Sequence, residues 1–189
     1  MTTGGMTPGF TRQWYSPQAA EALITETGGL HFTMDLVAAR AGISKGGLTY
    51  SYPTKDALIE DMLRRELQRF VSLRESETKG NAPHDRLEAH IRVSAEQKAV
   101  YLTRAAHLMA ALSSHPVHRK QVQAFYREAF ELADPATEEG RRARKAFLSI
   151  EGLFLLRGLG LMQVSDQEWD DVFADALAGL KQATTHLAR

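Results

Sequence analysis

One stretch constrains this chain more than any other: Thr33-Met-Asp-Leu-Val-Ala-Ala-Arg-Ala-Gly-Ile-Ser-Lys-Gly-Gly-Leu-Thr-Tyr-Ser-Tyr52. It reads as helix, tight turn, helix. Thr33 starts the first helix, with Asp35 in the first turn, where the helix dipole favours a negative charge. Gly42 is free to take the left-handed conformation that ends that helix. Ser44 opens a second, very short helix reaching about Ser51. Ala38 is small where two helices must cross closely, and Leu48, ten residues on, returns to the interior shared by Val37 and Ile43. These offsets are what a helix-turn-helix requires, and the second helix of such a unit enters a major groove N-terminus first. Its leading residues, Ser44, Lys45, Gly46 and Gly47, have short or flexible side chains that let the backbone come close to DNA. Thr49 lies on an exposed face one turn beyond Lys45, suited to a thymine methyl or a base edge. Tyr50, Lys55 and the helix start at Thr33 are placed to grip phosphates. The same offsets also suit a plain helical hairpin closed by a glycine turn, and spacing alone does not separate the two.

The rest of the chain also reads as helical. Residues 1–12 are small and polar, as in a mobile arm, and Ser16-Pro17 reads as a helix start, with Ser at the N-cap and Pro at the first helical position. That helix stops at Gly28-Gly29. Pro53-Thr54-Lys55-Asp56 caps a long helix that reaches Thr78 and ends at Gly80. Pro83, Pro116 and Pro135 each stand near a further helix start. Ser165-Asp166-Gln167-Glu168 has the spacing of a capping box, and the last helix runs on to about His186. No segment alternates apolar and polar residues long enough to demand a strand. The fold expected is all-α, with about nine helices.

Several classes are set aside by what the sequence lacks. There is no cysteine among the 189 residues, so disulfide scaffolds and thiolate sites are excluded. Met1 to Tyr15 lack a basic start followed by an apolar stretch. The most apolar segment, Gly152 to Met162, is too short to span a bilayer and carries Arg157. A soluble, cytoplasmic protein without a membrane partner is the expectation. His115-Pro-Val-His118 has neither helical ligand spacing nor a carboxylate nearby, because Pro116 breaks the local helix, so no metal is expected. Ser76 and Lys79 have Ser-x-x-Lys spacing at a charged helix end without companion motifs. No phosphate-binding loop, nucleophile elbow or acid/base pair appears, so neither a cofactor nor an enzymatic activity is expected.

The helix from about Pro135 to Met162 is apolar nearly all round in its later part, and such a helix must be covered on every side. Phe147, Leu155 and Leu159 suit packing on the chain's own core. Ile150, Leu153, Phe154, Arg157 and Leu161 follow the i, i+3, i+4, i+7 rhythm and ask for a partner. Trp169, Val172, Phe173, Ala176, Leu177 and Leu180 repeat that face in the last helix, with Gly152, Gly158 and Gly160 permitting close approach. A dimer built as a four-helix bundle from these two segments is the economical arrangement; a monomer that covers both faces internally is the alternative. In the middle of the chain, Arg104, His107, Met109, Phe125, Tyr126 and Phe130, with Glu151, set polar groups among apolar ones, as small-molecule pockets do. Plain core is the competing reading for each of these.

Residues 16–63 resemble the DNA-binding domain of the tetracycline-repressor (TetR) family of bacterial transcription regulators. The likeness is carried by Thr33-Met34, Val37-Ala38, Ala41-Gly42-Ile43-Ser44-Lys45-Gly46-Gly47-Leu48, Tyr50, Pro53, Lys55 and Leu58. Ile150 to Gly160, with the Ser165 cap, are similar to the last two helices of one branch of that family. The resemblance implies a three-helix DNA-binding domain over residues 1–55 and a ligand-binding and dimerisation bundle over 56–189. It also implies a homodimer that binds a double-stranded DNA operator and is released by a small-molecule effector. Relatives often carry an aromatic residue or Leu at position 49, His at 51 and Phe at 52, so the operator sequence does not transfer. They also carry two aliphatics where this chain has Ser16-Pro17, which points to a late first helix anchored by Trp14 or Tyr15.

The chain holds 23 basic and 23 acidic side chains. Residues 1–60 hold four basic ones (Arg12, Arg40, Lys45, Lys55) against five acidic ones (Glu21, Glu26, Asp35, Asp56, Glu60). Non-specific affinity for DNA, which rests on phosphate neutralisation, is therefore expected to be weak. The acidic tilt keeps a second reading open, a ligand- or partner-binding helical protein whose DNA-binding head is vestigial.

Overall fold

The computed structural model of the protein describes residues 8–27, 31–96, 102–103, 105–108 and 116–181. Among these residues all regular structure is helical: α1 (Pro8–Thr27), α2 (Met34–Arg40), α3 (Lys45–Ser51), α4 (Lys55–Glu77), α5 (Pro83–Ala95), α6 (Pro116–Glu131), α7 (Glu138–Gly158) and α8 (Asp166–Lys181). Residues 102–103 and 105–108 are helical as well. The chain divides into two compact units, Met1–Arg65 and Glu66–Arg189, and the division falls inside α4.

In the first unit α1, α2 and α3 pack on one another pairwise. Thr33 caps α2 by accepting a hydrogen bond from the Leu36 amide at 3.3 Å, and Ser44 caps α3 through the Gly47 amide at 3.1 Å. Between them Gly42 has φ +65°. Ile43 N donates to Ala38 O at 3.0 Å and Gly42 N to Ala39 O at 3.2 Å, the paired bonds of a Schellman end. This turn folds Val37, Ala38 and Leu48 into one core with Ala20, Ile24 and Phe32, all of them buried. The first helix departs from the expectation at Ser16-Pro17. It begins at Pro8, and Pro17 lies inside it. Proline removes one bond from the helical ladder, but Pro17 is buried; packing, not local propensity, decides where α1 runs. Of the expected arm, residues 8–12 belong to α1; residues 1–7 lie outside the described residues, as do the glycines at 28 and 29 and the chain beyond 181.

In the second unit the caps again follow the sequence. Asp85 accepts from the Ala82 amide at 2.9 Å ahead of α5. Ser165 and Glu168 bond each other's backbone amides at 2.8 and 3.2 Å, and donation from the Ser165 amide and then the Ser165 hydroxyl holds the Glu168 carboxyl below its ordinary range. Pro116 is the first residue of α6. Pro135 does not start α7. Asp134 accepts from the Ala136 amide at 2.9 Å in a turn, and Thr137 caps the helix through the Gly140 amide, also at 2.9 Å. The helix ends at Gly158 rather than Met162 because Gly160, with φ +67°, closes it: Leu161 N reaches Leu156 O at 2.9 Å.

Within the single chain, part of the face expected at a dimer is turned into the core of this unit. Ile150, Leu153, Trp169, Phe173 and Ala176 are at most 8% exposed and pack with Ile91 and Leu102 in one cluster within a single chain. Phe154, Val172, Leu177 and Leu180 rest against that cluster, partly buried. Arg157 sits over the Trp169 ring, 5.1 Å from its centre, and is bonded to Asp166. Of the eleven residues expected on a dimer face, only Leu161, in the loop after α7, is an exposed large apolar side chain, at 71%. The reason is physical: where a helix is apolar all round, its period does not say which side faces in. Here α5 and residue 102 cover the side that sequence reading left for a partner. The outward side of α7 carries Leu148 and Leu156, both exposed.

Candidate nucleic-acid interface and ligand groove

Helix α3 presents its leading residues outward. Lys45, Gly46, Thr49 and Tyr50 are exposed, Tyr50 at 92%. A Cβ added to Gly46 would meet nothing within 4 Å, so another molecule can approach the backbone closely there. Thr33 and Ser44 spend their hydroxyl oxygens on their own helix caps. Thr49 donates its hydroxyl to Lys45 O at 2.8 Å.

Three described cations around this surface, Arg40, Lys45 and Lys55, have partners within the chain. Lys45 pairs with Asp35 at 3.0 Å, both side chains about two-thirds exposed. Arg40 makes a two-pronged contact with Glu26, which raises the Arg40 pKa above its ordinary value. Lys55 is turned inward: its ammonium donates to Phe32 O at 2.8 Å and lies 4.5 Å from the Phe32 ring centre. Behind the surface, Tyr52 donates to Asp61 at 2.8 Å. Burial first, and then that bond, push the Tyr52 hydroxyl up to about 12. Burial alone would raise the Asp61 carboxyl, but hydrogen bonds from Arg64, Tyr52 and Arg65 outweigh it and hold Asp61 below its ordinary value.

In the second unit the residues expected around a ligand divide between two spaces that share Glu151. A small, partly open chamber of about 30 Å³ is walled by Glu66, Arg69, Phe70, His90, Phe125 and Glu151, among others. A wide groove of about 900 Å³, open to solvent, lies between α6 and α7 and is lined by Tyr126, Phe130, Phe147, Leu148, Glu151 and Leu155, among others. Phe125 therefore belongs to the chamber and Tyr126 and Phe130 to the groove. His107 bonds Thr103 O at 2.7 Å along its own helix and lines neither space. Arg104 and Met109 lie outside the described residues.

The sequence reading missed His90. It is fully buried, its Nε2 lies 2.8 Å from Glu151 Oε1, and rings of Phe70, Phe147 and Phe125 stand 4.8, 5.3 and 5.9 Å from it. Its position four residues before Ser94 on a helix that otherwise buries Leu87, Ile91 and Val93 was the available signal. Arg74 was also missed. Only 1% exposed, it bonds Glu128 at 2.9 Å, and Glu128 is shared with Arg86.

Comparison with known proteins places this geometry. Residues 18–62 match the family described as bacterial regulatory proteins, tetR family. Residues 84–181, just over half of the chain, match the tetracyclin repressor-like C-terminal domain. The chain belongs to the TetR family. Its helix-turn-helix is thus the DNA-binding head of a transcriptional regulator; the groove lies within the residues that match the C-terminal domain of that family, and the chamber is walled by those residues together with Glu66, Leu67, Arg69 and Phe70 of α4. Solved structures share the TetR fold at low identity. A transcriptional regulator from Rhodococcus sp. RHA1 is 18% identical with a TM-score of 0.69, covering 90% of this chain and 96% of its own. A TetR transcription regulator from Haloarcula marismortui is also 18% identical, with a TM-score of 0.69 over 91% and 97%. The multidrug-binding protein EbrR, solved with imidazole, is 18% identical with a TM-score of 0.62 over 87% and 94%. No curated protein matches the sequence. Among the described residues no helix is long and apolar enough to cross a membrane.

Proposed function

We propose that this TetR-family chain is a cytoplasmic repressor that binds a palindromic operator as a homodimer and releases it when a small molecule enters the C-terminal domain. The observation that carries the proposal is the exposed, preformed start of α3, with Lys45, Gly46, Thr49 and Tyr50 facing outward from a rigid Thr33-capped and Ser44-capped turn. Lys45, Thr49 and Tyr50 of each protomer meet one major groove, and two such heads fit half-sites about 34–36 Å apart. Residues 1–55 act as the DNA-binding head and 56–189 as the effector and dimer domain.

The dimer seam in this proposal runs along the outward side of α7, through Gly152, Leu156 and Leu159, and along the outward residues Ala174 and Ala178 of α8. Leu156 is exposed, and a side chain at Gly152 would meet nothing within 4 Å, so that side is apolar and open. The groove, which shares Gly152 with that seam, is the effector site, and α4, which begins at Lys55 and supplies Phe70 to the chamber, is the helix common to both functions. An effector with higher affinity for the DNA-free arrangement shifts the population towards it.

The test is a mobility shift with DNA upstream of the protein's own gene and its neighbour. The wild type retards a fragment, and Lys45→Ala with Tyr50→Phe does not. Absence of any shift with the purified wild-type dimer overturns the proposal. One observation favours the second reading, a binding protein with a vestigial head: Arg40, Lys45 and Lys55 all have internal partners. In that case the double variant keeps every function of the wild type.

A further inference from the structure

We infer that a second copy of this chain docks antiparallel on the seam, with Lys145 of each protomer meeting Asp170 and Asp171 of the other, and that these pairs fix register and choice of partner. This rests on the dimer seam along α7 and α8 proposed above. The inference starts from how charge is distributed on the two helices. Residues 141–145, near the start of α7, carry four cationic side chains and no anionic one. Residues 166–175, at the start of α8, carry five anionic side chains and no cationic one.

Part of this charge is spent inside the chain. Arg142 is bonded to Glu138 and Arg157 to Asp166, and Arg144 lies against the Phe130 ring. Lys145, Asp170 and Asp171 are exposed, and among the described residues no oppositely charged side chain pairs with any of them. Their place on each helix follows from 3.6 residues per turn. Arg142, Lys145, Ser149, Gly152 and Leu156 share one stripe of α7. Gln167, Asp170, Asp171, Ala174 and Ala178 share one stripe of α8. The unpaired charges thus lie in line with the small and apolar residues of the seam.

Within one chain the two stripes run in opposite directions. Arg157 lies over Trp169 near one end, and Leu180 packs against the cluster that holds Phe147 near the other. Asp170 and Asp171 therefore stand level with Leu155 and Leu156, about 15 Å along the seam from Lys145. One end of the seam is cationic and the other anionic. A parallel second copy sets Lys145 on Lys145 and Asp171 on Asp171, like charge on like. An antiparallel copy sets each cationic end on an anionic one, twice over, as a self-complementary two-fold contact requires. The axis then falls midway, at the level of Ser149, Gly152, Ala174 and Ala178. These are the small residues of both stripes, and a Cβ at Gly152 would meet nothing within 4 Å, so helices pack closely there. Side-chain size and charge select the same centre independently. Charge complementarity of this kind governs register and partner choice more than raw affinity.

The experiment is sedimentation equilibrium of the full-length protein and its charge variants, with thermal melts to show that each is folded. Lys145→Glu, and separately Asp170→Lys with Asp171→Lys, should each raise the dimer dissociation constant at least tenfold. An equimolar mixture of the two variants should recover the dimer, because their reversed ends attract again. A chain carrying all three substitutions should recover it alone, a rescue that a parallel seam does not give. The wild-type constant should rise as salt screens the exposed pairs. Carboxylates near the start of α8 also favour that helix. Should their reversal cost the fold, Asp170→Asn with Asp171→Asn decides, and a weakening of at least threefold is expected. Either reversal leaving the constant within twofold of wild type overturns the inference, as does a triple variant as weak as its parents. If Leu156→Glu gives monomers while both reversals leave the dimer intact, the seam stands and the pairing falls. A monomeric wild type removes both.

Discussion

Lys45 stands at the start of the reading helix, yet its ammonium is already engaged with Asp35 of α2 at 3.0 Å. Contact with a phosphate or base therefore requires that pair to open, and Asp35 itself repels the DNA backbone. Asp35→Asn removes both obstacles. Both side chains are about two-thirds exposed, and pairs of that kind contribute about 0.2–1 kcal/mol. With one pair per protomer and two protomers on an operator, affinity should rise about 2- to 30-fold. The same substitution should lower thermal stability. Asp35 lies in the first turn of α2, where a carboxylate stabilises the helix by about 0.3–1 kcal/mol. The two effects have opposite signs, so a general change in folding cannot imitate the result. The assay is fluorescence anisotropy with a labelled operator at several salt concentrations, alongside thermal unfolding. The gain should shrink as salt screens the exposed charges, and it should largely vanish in a Lys45→Met background. Weaker binding by Asp35→Asn refutes the reasoning, as does an undiminished gain without Lys45.

Other outcomes follow from the same geometry. Tyr52→Phe removes the hydrogen bond to Asp61 and should cost about 0.5–1.5 kcal/mol, towards the low end because Arg64 and Arg65 still hold the carboxylate. The folded Tyr52 pKa of about 12 lies above the unfolded value near 10, so this contribution is full below pH 10 and lost as pH rises towards 12. The stability gap between wild type and Tyr52→Phe, measured by denaturant melts, should narrow across that window; a constant gap contradicts the account. Gly158→Ala places a Cβ 2.6 Å from Ala106 Cβ and 3.1 Å from Leu102 O, and overpacking of this kind costs about 1–3 kcal/mol, readable as a lowered melting temperature. Leu156→Glu should yield folded monomers by sedimentation, with operator affinity lost; an unchanged dimer mass refutes the seam along α7.

What was legible in the sequence was whatever a few neighbouring residues decide. Thr33, Gly42 and Ser44 fix the turn through bonds no longer than 3.3 Å to amides and carbonyls within five residues, and the Ser165–Glu168 box is equally local. What was not legible depended on packing between distant segments. Pro17 looked like a helix start until the buried path of α1 was known. Ile150 and Leu153 looked like a face awaiting a partner, because nothing in α7 alone reveals that Ile91 and Leu102 cover them. Glu151 was legible as a polar residue on an apolar helix, but its buried partner His90 lies 61 residues away.

The charge count shows the same division between local and distant effects. Equality of 23 and 23 says little about DNA until each cation is placed. In the head, Arg40 and Lys45 sit opposite Glu26 and Asp35, and Lys55 is bound to a carbonyl. A surface built this way has little free charge with which to hold arbitrary DNA, since non-specific affinity scales with the phosphates neutralised. It gives up its internal pairs only where shape and hydrogen bonding at α3 compensate, at a matched site. Neutrality of the head then lowers both affinities, operator binding by the cost of opening each pair and random binding by the weaker contact forgone. Asp35→Asn therefore reads the mechanism directly: it should tighten binding to the operator by at least as large a factor as binding to random DNA.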